Sequence, residues 1–285
     1  MPVIDLHVHS TASDGTMSPA EVVHHAQSLG LSAIGLTDHD SLSGIPEALE
    51  TGESIGIEVI PGCELSVESP QGAMHILGYW VRPDGSLDHM LTMLRKKRHE
   101  RNRAMIGKLQ KMGMDLEYEE VRALSGGGSV GRPHLARVLV EKGYVRSVDE
   151  AFRSLLGSQG AAYVPKEKPT PGEAIEALRQ EGALAFLAHP FSLELAIPDL
   201  DRIVQSLKEL GLQGIEAWYS GHDDGQVRYC LEAARRYDLL VSGGSDFHGS
   251  VKPKIHLGTG LGNLHVPLAA LEGMKKYRQD RKLWI

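Results

Sequence analysis

The sequence contains little cysteine, few aromatic residues, no excess of basic charge and no long apolar run. Its two cysteines, Cys63 and Cys230, cannot build a disulfide framework, which is typical of a protein from a reducing compartment. Because 30 Lys and Arg residues stand against 37 Asp and Glu residues, the net charge is −7, and we expect no binding to duplex DNA through charge. No apolar run approaches the roughly 18 residues that a membrane span needs. Strand-like residues already at Pro2-Val3-Ile4 leave no room for a signal peptide, so we expect a cytoplasmic protein.

The remaining composition is that of an ordinary folded protein. Hydrophobic residues make up 41% and charged residues 24% of the 285 residues, which favours one large domain or a domain with an insertion. We expect no membrane contact and no obligate protein partner. The unusual feature is histidine, which occurs 14 times, so the positions of the histidines carry the functional argument.

Strand and helix signals alternate in the first 80 residues and again after about residue 169. Capping boxes that begin at Ser18 and Thr170 indicate two helix starts. We predict seven strands, at residues 3–9, 32–36, 58–61, 74–81, 183–188, 214–218 and 239–242. Strands that alternate with helices in this way indicate a parallel α/β structure.

The middle of the chain has a different character. Residues 83–168 show long helical periodicity, basic stretches and a glycine-rich segment at Gly126-Gly127-Gly128. We therefore expect a mostly helical insertion domain over 83–168, within a domain built from residues 1–82 and 169–285.

Nine side chains that can bind metal ions lie close to the ends of the predicted strands. They are His7, His9, Asp14, His39, Glu64, His75, His189, Asp246 and His248. Nearly all of them fall at the carboxyl ends of parallel strands, where α/β proteins build their sites. His7 and His9 are two residues apart and share one face of a strand, so they can chelate together. Imidazoles and carboxylates without a thiolate suit Mn, Fe or Zn, and nine ligands suit two or three ions.

The motifs around these residues resemble those of the PHP (polymerase and histidinol phosphatase) family of metal-dependent phosphoesterases. The matching positions are His7-x-His9, Asp14-Gly15, Thr37-Asp38-His39, Glu64, His75, His189-Pro190 and Asp246-x-His248. Every expected ligand is present, whereas degenerate modules of the family lose several. The resemblance implies the family fold, a distorted (β/α)7 barrel of the α/β class, which agrees with the seven predicted strands.

By this resemblance the nine ligands divide into three sets, two of which share Glu64. The first set is His7, His9, Glu64 and Asp246. The second set is Glu64, His75 and His189, and the third is Asp14, His39 and His248. We expect two or three divalent ions per chain, with Mn²⁺ preferred over Fe or Zn. A hydroxide that bridges the first two ions is the expected nucleophile, because such ions lower the pKa of bound water.

The alkoxide that leaves a phosphate ester needs a proton or a metal ion. His222, which follows the sixth predicted strand, is the candidate catalytic residue for this step. The alternative interpretation of His222 is a surface-loop histidine without a catalytic role.

A long helix predicted over residues 87–112 carries two candidate phosphate-binding residues. Arg98 and Arg101 fall inside the apolar stripe of this helix, where each guanidinium needs an anion or a route to solvent. The alternative is that their aliphatic stems lie flat and their charged groups reach solvent.

A second candidate phosphate site lies at the predicted helix start Gly131-Arg132-Pro133-His134. Free N–H groups at a helix N-terminus bind anions, and Arg132 and His134 add donors there. Ordinary helix capping without a ligand is the alternative. This segment and the insertion resemble the branch of the family that contains nucleoside 3′,5′-bisphosphate phosphatases and a 5′-to-3′ exoribonuclease.

The resemblance therefore implies a phosphoric ester hydrolase that acts on the 3′-phosphate of nucleoside 3′,5′-bisphosphates, on 5′-phosphorylated short RNA, or on both. A histidinol-phosphate-type phosphatase is the nearest alternative. A C–N amidohydrolase would share the barrel but usually has a modified lysine where Glu64 stands. A non-catalytic metal-binding module of a larger polymerase is a further alternative.

Overall fold

A computed structural model describes residues 3–124, 130–165 and 167–283. The glycine-rich segment predicted at Gly126-Gly127-Gly128 lies outside the described residues. The chain divides into two compact units, the first made of residues 1–90 and 169–285 and the second of residues 91–168.

The first unit is built on one seven-stranded sheet whose strands follow each other in chain order. The strands are β1 (Val3–Val8), β2 (Leu31–Leu36), β3 (Glu58–Val67), β4 (Met74–Tyr79), β5 (Leu184–Leu187), β6 (Gly214–Tyr219) and β7 (Leu240–Gly244). The helices of the described chain are α1 (Pro19–Ser28), α2 (Ile45–Ile55), α3 (Ser86–Lys111), α4 (Tyr118–Ala123), α5 (Arg132–Glu141), α6 (Val148–Ala151), α7 (Pro171–Gln180), α8 (Ile197–Glu209), α9 (Asp224–Arg236) and α10 (Leu268–Asp280).

The sheet curls into a nearly closed barrel because its two outer strands meet. The backbone N–H of His9 donates to the carbonyl of Phe247 at 2.9 Å, and that of Asp246 donates to the carbonyl of His7 at 2.8 Å. A side chain at Gly244 would place its Cβ 2.3 Å from the backbone nitrogen of His7, so only glycine permits this approach. The closure confirms the predicted barrel and brings the ends of β1 and β7 together.

Strand β4 departs from the predicted parallel α/β structure. This strand pairs antiparallel with both β3 and β5, whereas the other neighbouring strands are parallel. The short segment between β3 and β4 cannot hold a crossover helix, so the two strands form a hairpin. β3 also continues past the predicted end at Pro61 to Val67. Glu64 therefore lies within a strand, and His75 at the start of β4 reaches the edge where the parallel strands end.

Local sequence signals explain where the helices of the first unit begin. The side chain of Ser18 accepts from the backbone N–H of Glu21, and that of Thr170 accepts from the backbone N–H of Glu173. Both are the predicted capping boxes, with proline in the first helical turn. One hydrophobic core of the first unit includes Ile4 from β1, Phe186 from β5 and Leu271 from α10. Among the described helices, none combines the length and apolar character needed to cross a bilayer.

The second unit is helical and has a hydrophobic core of its own. It comprises the larger part of α3, then α4, α5 and α6, and a π-helical turn at Phe152–Leu156. Met105 and Leu109 from α3 are fully buried in this core with Leu135 and Leu139 from α5. In each helix the two residues are four positions apart, so they lie on the same face of that helix.

Candidate metal centre

The structure gathers the nine candidate metal-binding side chains at one edge of the barrel, with Glu64 at the centre. Glu64 is fully buried. The ring nitrogens within 3.2 Å of its carboxylate oxygens belong to five histidines: His7, His9, His39, His75 and His189. Oε2 faces the first three rings and Oε1 faces the last two. Each oxygen therefore serves a different group of imidazoles, as a bridging carboxylate does.

The other three candidate ligands join this cluster through the histidines. Oδ1 of Asp246 lies 3.3 Å from Nε2 of His9, and Nε2 of His248 lies 3.2 Å from Oδ1 of Asp14. Asp14 is the exposed member, and Asp246 and His248 are buried. The side chains come from loops and strands that are far apart in the chain and meet because the barrel closes.

Three groups of these side chains have ligand atoms that lie within 4.8 Å of one another. The groups are His7-His9-Glu64-Asp246, His9-Asp14-His39-His248 and His39-Glu64-His75. The first group is identical to the first expected set. The second group contains the expected set Asp14, His39 and His248, together with His9. His189 stands next to the third group, because its Nε2 lies 2.9 Å from Oε1 of Glu64 and 3.3 Å from Nδ1 of His75.

Buried polar atoms provide a test of whether metal ions fit these residues. His9 is fully buried, yet within the described chain neither of its ring nitrogens has a hydrogen-bond partner. Nδ1 of His39 is likewise without one. A buried unpaired nitrogen costs free energy unless another group uses its lone pair. Divalent cations bind imidazole nitrogens together with carboxylates, so the residues fit metal ions.

Partners behind the imidazoles orient their metal-facing nitrogens. Nδ1 of His7 lies 2.9 Å from Oε1 of Glu216, Nδ1 of His189 lies 2.7 Å from Oγ of Ser192, and Nδ1 of His248 lies 2.8 Å from the carbonyl oxygen of Asp246. Such hydrogen bonds set which ring nitrogen is free for a metal. Neither Glu216 nor Ser192 is among the residues predicted from the sequence. For Glu216 the sequence does carry a signal, because a glutamate is unusual inside a buried strand such as β6.

The charges of the cluster favour cations at the imidazoles. Burial by itself raises the pKa of Glu64, but His39, His75 and His7 hold it well below the ordinary value. Burial lowers the pKa of His9, but Asp246 and Glu64 outweigh it and raise that pKa to about 9. The carboxylates therefore stabilise positive charge at the ring nitrogens, which is the charge that a divalent ion supplies.

Two further side chains hold the outer oxygen of Asp246. Nζ of Lys252 donates to Oδ2 at 2.7 Å, and the Tyr219 hydroxyl donates to the same oxygen at 3.1 Å. Oδ1 is thereby left to face His9. Neither donor is among the residues predicted from the sequence, which carries no signal for Lys252.

His222 lies in the first unit and is buried against aromatic rings. Its Nδ1 lies 3.0 Å from the carbonyl oxygen of Ala217, which only accepts, so Nδ1 carries a proton. Within the described residues its Nε2 has no hydrogen-bond partner, and the ring packs against Phe191 and Tyr219. Burial lowers the pKa of His222. Its role as proton donor stays a prediction.

The candidate phosphate-binding arginines belong to the second unit, and they are close to one another there. Burial, with Arg132 and Arg98 nearby, lowers the pKa of Arg101. Nε of Arg101 donates to the carbonyl of Val164 at 2.8 Å. The neighbourhood of three cations is an environment that an anion would stabilise.

The start of α5 combines capping with a stacked guanidinium. Nδ1 of His134 accepts from the backbone N–H of Gly131 at 3.0 Å, so His134 caps the helix. Arg132 donates to the carbonyl of Leu156 at 3.2 Å. Its guanidinium carbon lies 5.6 Å from the centre of the Phe152 ring and 5.7 Å from that of Tyr163.

The nearly closed barrel and its ring of imidazoles and carboxylates define a metal-dependent phosphoesterase. Residues 5–163 match the PHP domain family. The chain is 36% identical over 247 residues to a 5′-3′ exoribonuclease of Haemophilus influenzae, covering 86% of this chain and 89% of the relative. The chain belongs to the PHP domain family.

Two further relatives agree with this assignment. A 3′,5′-nucleoside bisphosphate phosphatase of Chromobacterium violaceum is 32% identical over 251 residues, covering 87% of this chain and 88% of that protein. A solved structure from Bifidobacterium adolescentis, classed as a metal-dependent phosphoesterase, superposes with a TM-score of 0.78 at 29% identity and covers 95% of both chains. The resemblance inferred from the motifs is confirmed.

Proposed function

We propose that this phosphoesterase removes the 3′-phosphate of nucleoside 3′,5′-bisphosphates and cleaves short 5′-phosphorylated RNA, with three divalent ions, preferably Mn²⁺, as cofactors. The observation that carries the proposal is the convergence of eight other candidate ligand side chains around Glu64. The complete ligand set favours an enzyme over a non-catalytic module.

The metal ions, once bound, lower the pKa of water and offset the negative charge of a phosphate. Glu64 would hold two ions, because its two oxygens face different imidazoles. Asp246 would offer Oδ1 to an ion, since Lys252 and Tyr219 bind Oδ2. Glu64, His7 and His9 are fully buried, and electrostatic contacts are stronger in such a low-dielectric environment than in water.

A nucleoside 3′,5′-bisphosphate carries a second phosphate that needs its own receptor. Arg98, Arg101 and Arg132 are the candidates, with His134 as a supporting residue. Arginine binds phosphate through two parallel hydrogen bonds and keeps its charge near neutral pH. The names of the two curated relatives, an exoribonuclease and a bisphosphate phosphatase, support a substrate of this class.

Phosphate esters of ribose have poor leaving groups, and His222 is the proposed source of the proton. Nε2 is the ring atom that would carry this proton and donate it to the leaving oxygen, because Nδ1 donates to the carbonyl of Ala217. Aromatic packing holds the ring in one orientation.

The proposal is tested by phosphate and nucleotide release from the Mn²⁺-reconstituted enzyme. The substrates are a nucleoside 3′,5′-bisphosphate, the matching 3′-monophosphate, histidinol phosphate, and one short RNA with either a 5′-phosphate or a 5′-hydroxyl. We expect the highest kcat/KM for the bisphosphate and a clear preference for the 5′-phosphorylated RNA over its 5′-hydroxyl form. Equal rates with and without the 5′-phosphate, or a preference for histidinol phosphate, would contradict the proposed substrate class.

A further inference from the structure

Glu216 is a fully buried carboxylate on β6 whose two oxygens contact two different parts of the metal centre. Oε1 lies 2.9 Å from Nδ1 of His7, and Oε2 accepts the backbone N–H of His189 at 2.7 Å. His7 lies within β1 and His189 follows the end of β5, so one side chain links candidate ligands from two separate strands. One oxygen of Glu216 accepts a backbone N–H, whereas both oxygens of the candidate ligand Glu64 face imidazole nitrogens.

The contact with His7 determines the state of that ring. A carboxylate accepts, so Nδ1 carries the proton and Nε2 is directed towards Glu64, 3.2 Å away. A hydrogen-bonded carboxylate behind an imidazole makes the opposite nitrogen a stronger metal ligand.

The contact with His189 holds a backbone conformation that a histidine seldom adopts. His189 has a φ of 24° and a ψ of 64°, in the region that L residues avoid. The hydrogen bond from its N–H to Glu216 fixes this turn at the end of β5, and the turn points the ring at Glu64. The register of β6 against β7 also shifts between Glu216 and Trp218, and such bulges redirect side chains near sites.

We infer that Glu216 is a positioning residue that orients His7 and His189 together, and that the affinity of the barrel for divalent ions depends on it. This inference rests on the proposed metal centre and not on the identity of the substrate. Glu216 acts through the two histidines and touches no reacting atom.

The test measures Mn²⁺ binding by calorimetry to metal-free protein, so that no substrate is involved. Glu216→Gln keeps the shape of the side chain, but its NH₂ group cannot accept one of the two hydrogen bonds. We expect the Mn²⁺ dissociation constant to rise by about 10- to 100-fold, the range found for partners behind metal ligands. The matched control is Ser242→Ala, because Ser242 is buried and is the register partner of Glu216 on β7. This control is expected to bind Mn²⁺ as the wild type does.

The outcomes separate a positioning role from a structural one. Weaker Mn²⁺ binding by Glu216→Gln, with wild-type circular dichroism and melting temperature in chelator, supports the inference. Wild-type affinity in Glu216→Gln, or an equal loss in Ser242→Ala, would overturn it. Absence of Mn²⁺ binding by the wild type would instead overturn the metal centre.

A measurement on the wild type keeps the inference testable if Glu216→Gln does not fold. In the Zn²⁺-loaded protein, nitrogen-15 NMR of the His7 ring reports which nitrogen carries the proton. We expect a protonated Nδ1, protected from exchange, and a metal-bound Nε2. A proton on Nε2 would show that Glu216 does not set the orientation of His7.

Discussion

Nε2 of His9 lies 3.2 Å from Oε2 of Glu64, yet in the described part of the chain no hydrogen bond satisfies this buried nitrogen. Two ligands of one divalent ion, each about 2.1 Å from it, stand roughly 3–3.5 Å apart. The spacing of His9 and Glu64 is therefore that of two ligands with a shared ion. His9 also belongs to a second group with Asp14 and His248, which places this ring between two candidate ion positions.

The first prediction concerns metal content and stability. We expect three Mn²⁺ ions per chain after reconstitution, measured by elemental analysis of the desalted protein. Because the ions bind only the assembled centre, the melting temperature should fall when a chelator removes them. At most one ion at saturation would contradict the multinuclear centre, and a melting temperature indifferent to chelator would contradict the linkage to folding.

The second prediction separates metal ligands from other histidines. His7→Ala and Asp246→Ala should each lower kcat by more than about a hundredfold, because both side chains would hold the metal ions proposed to act on the reacting phosphate. The control is His24→Ala, since His24 is an exposed residue of α1 and lies outside the candidate ligand set. Near-normal turnover in either ligand variant, at full metal content, would refute the assignment.

The third prediction concerns the second phosphate of the substrate. A charge-assisted phosphate contact contributes about 1.5–3 kcal/mol, so Arg132→Ala should lower kcat/KM for a nucleoside 3′,5′-bisphosphate by roughly 10- to 150-fold. It should leave p-nitrophenyl phosphate, which has one phosphate, nearly unchanged. Arg137→Ala on the same helix is the control, because Arg137 is exposed and pairs with Glu141. An equal loss on both substrates would assign Arg132 to folding or to the metal centre, since its side chain also packs on Phe152 and Tyr163.

The fourth prediction tests proton transfer by His222. His222→Ala should lower kcat strongly for a ribose 3′-phosphate, whose leaving alkoxide needs a proton, and weakly for p-nitrophenyl phosphate, whose leaving group does not. Both substrates are measured at saturating Mn²⁺, and circular dichroism checks the fold because the ring is buried. The same loss on both substrates would remove His222 from this role.

Much of the centre follows from the sequence because its signals are local. Imidazoles and carboxylates placed after strands predict a metal site, and the pair His7 and His9 shares one strand face at any curvature of the sheet. The capping boxes at Ser18 and Thr170 depend on four consecutive residues and are present as predicted. The family resemblance likewise depends on short motifs, and the match to the PHP domain family confirms it.

The antiparallel β4 and the continuation of β3 were not predictable in this way. Both depend on pairing between strands, and a buried apolar run looks the same in a parallel strand and in a hairpin. The consequence is functional, because the hairpin is what carries His75 to within 2.7 Å of Glu64.

The sequence by itself determined which residues can bind metal, how many such residues there are and near which strand ends they lie. It could do so because donor chemistry and strand periodicity are properties of short segments. Only the tertiary structure decided which ligands meet around Glu64, that His9 and His39 each belong to two groups, and that Glu216 stands behind His7 and His189. Some of those relations join residues more than a hundred positions apart, such as His7 with Glu216 and His189 with Glu64. Closure of the barrel creates them, and no local pattern records how a barrel closes.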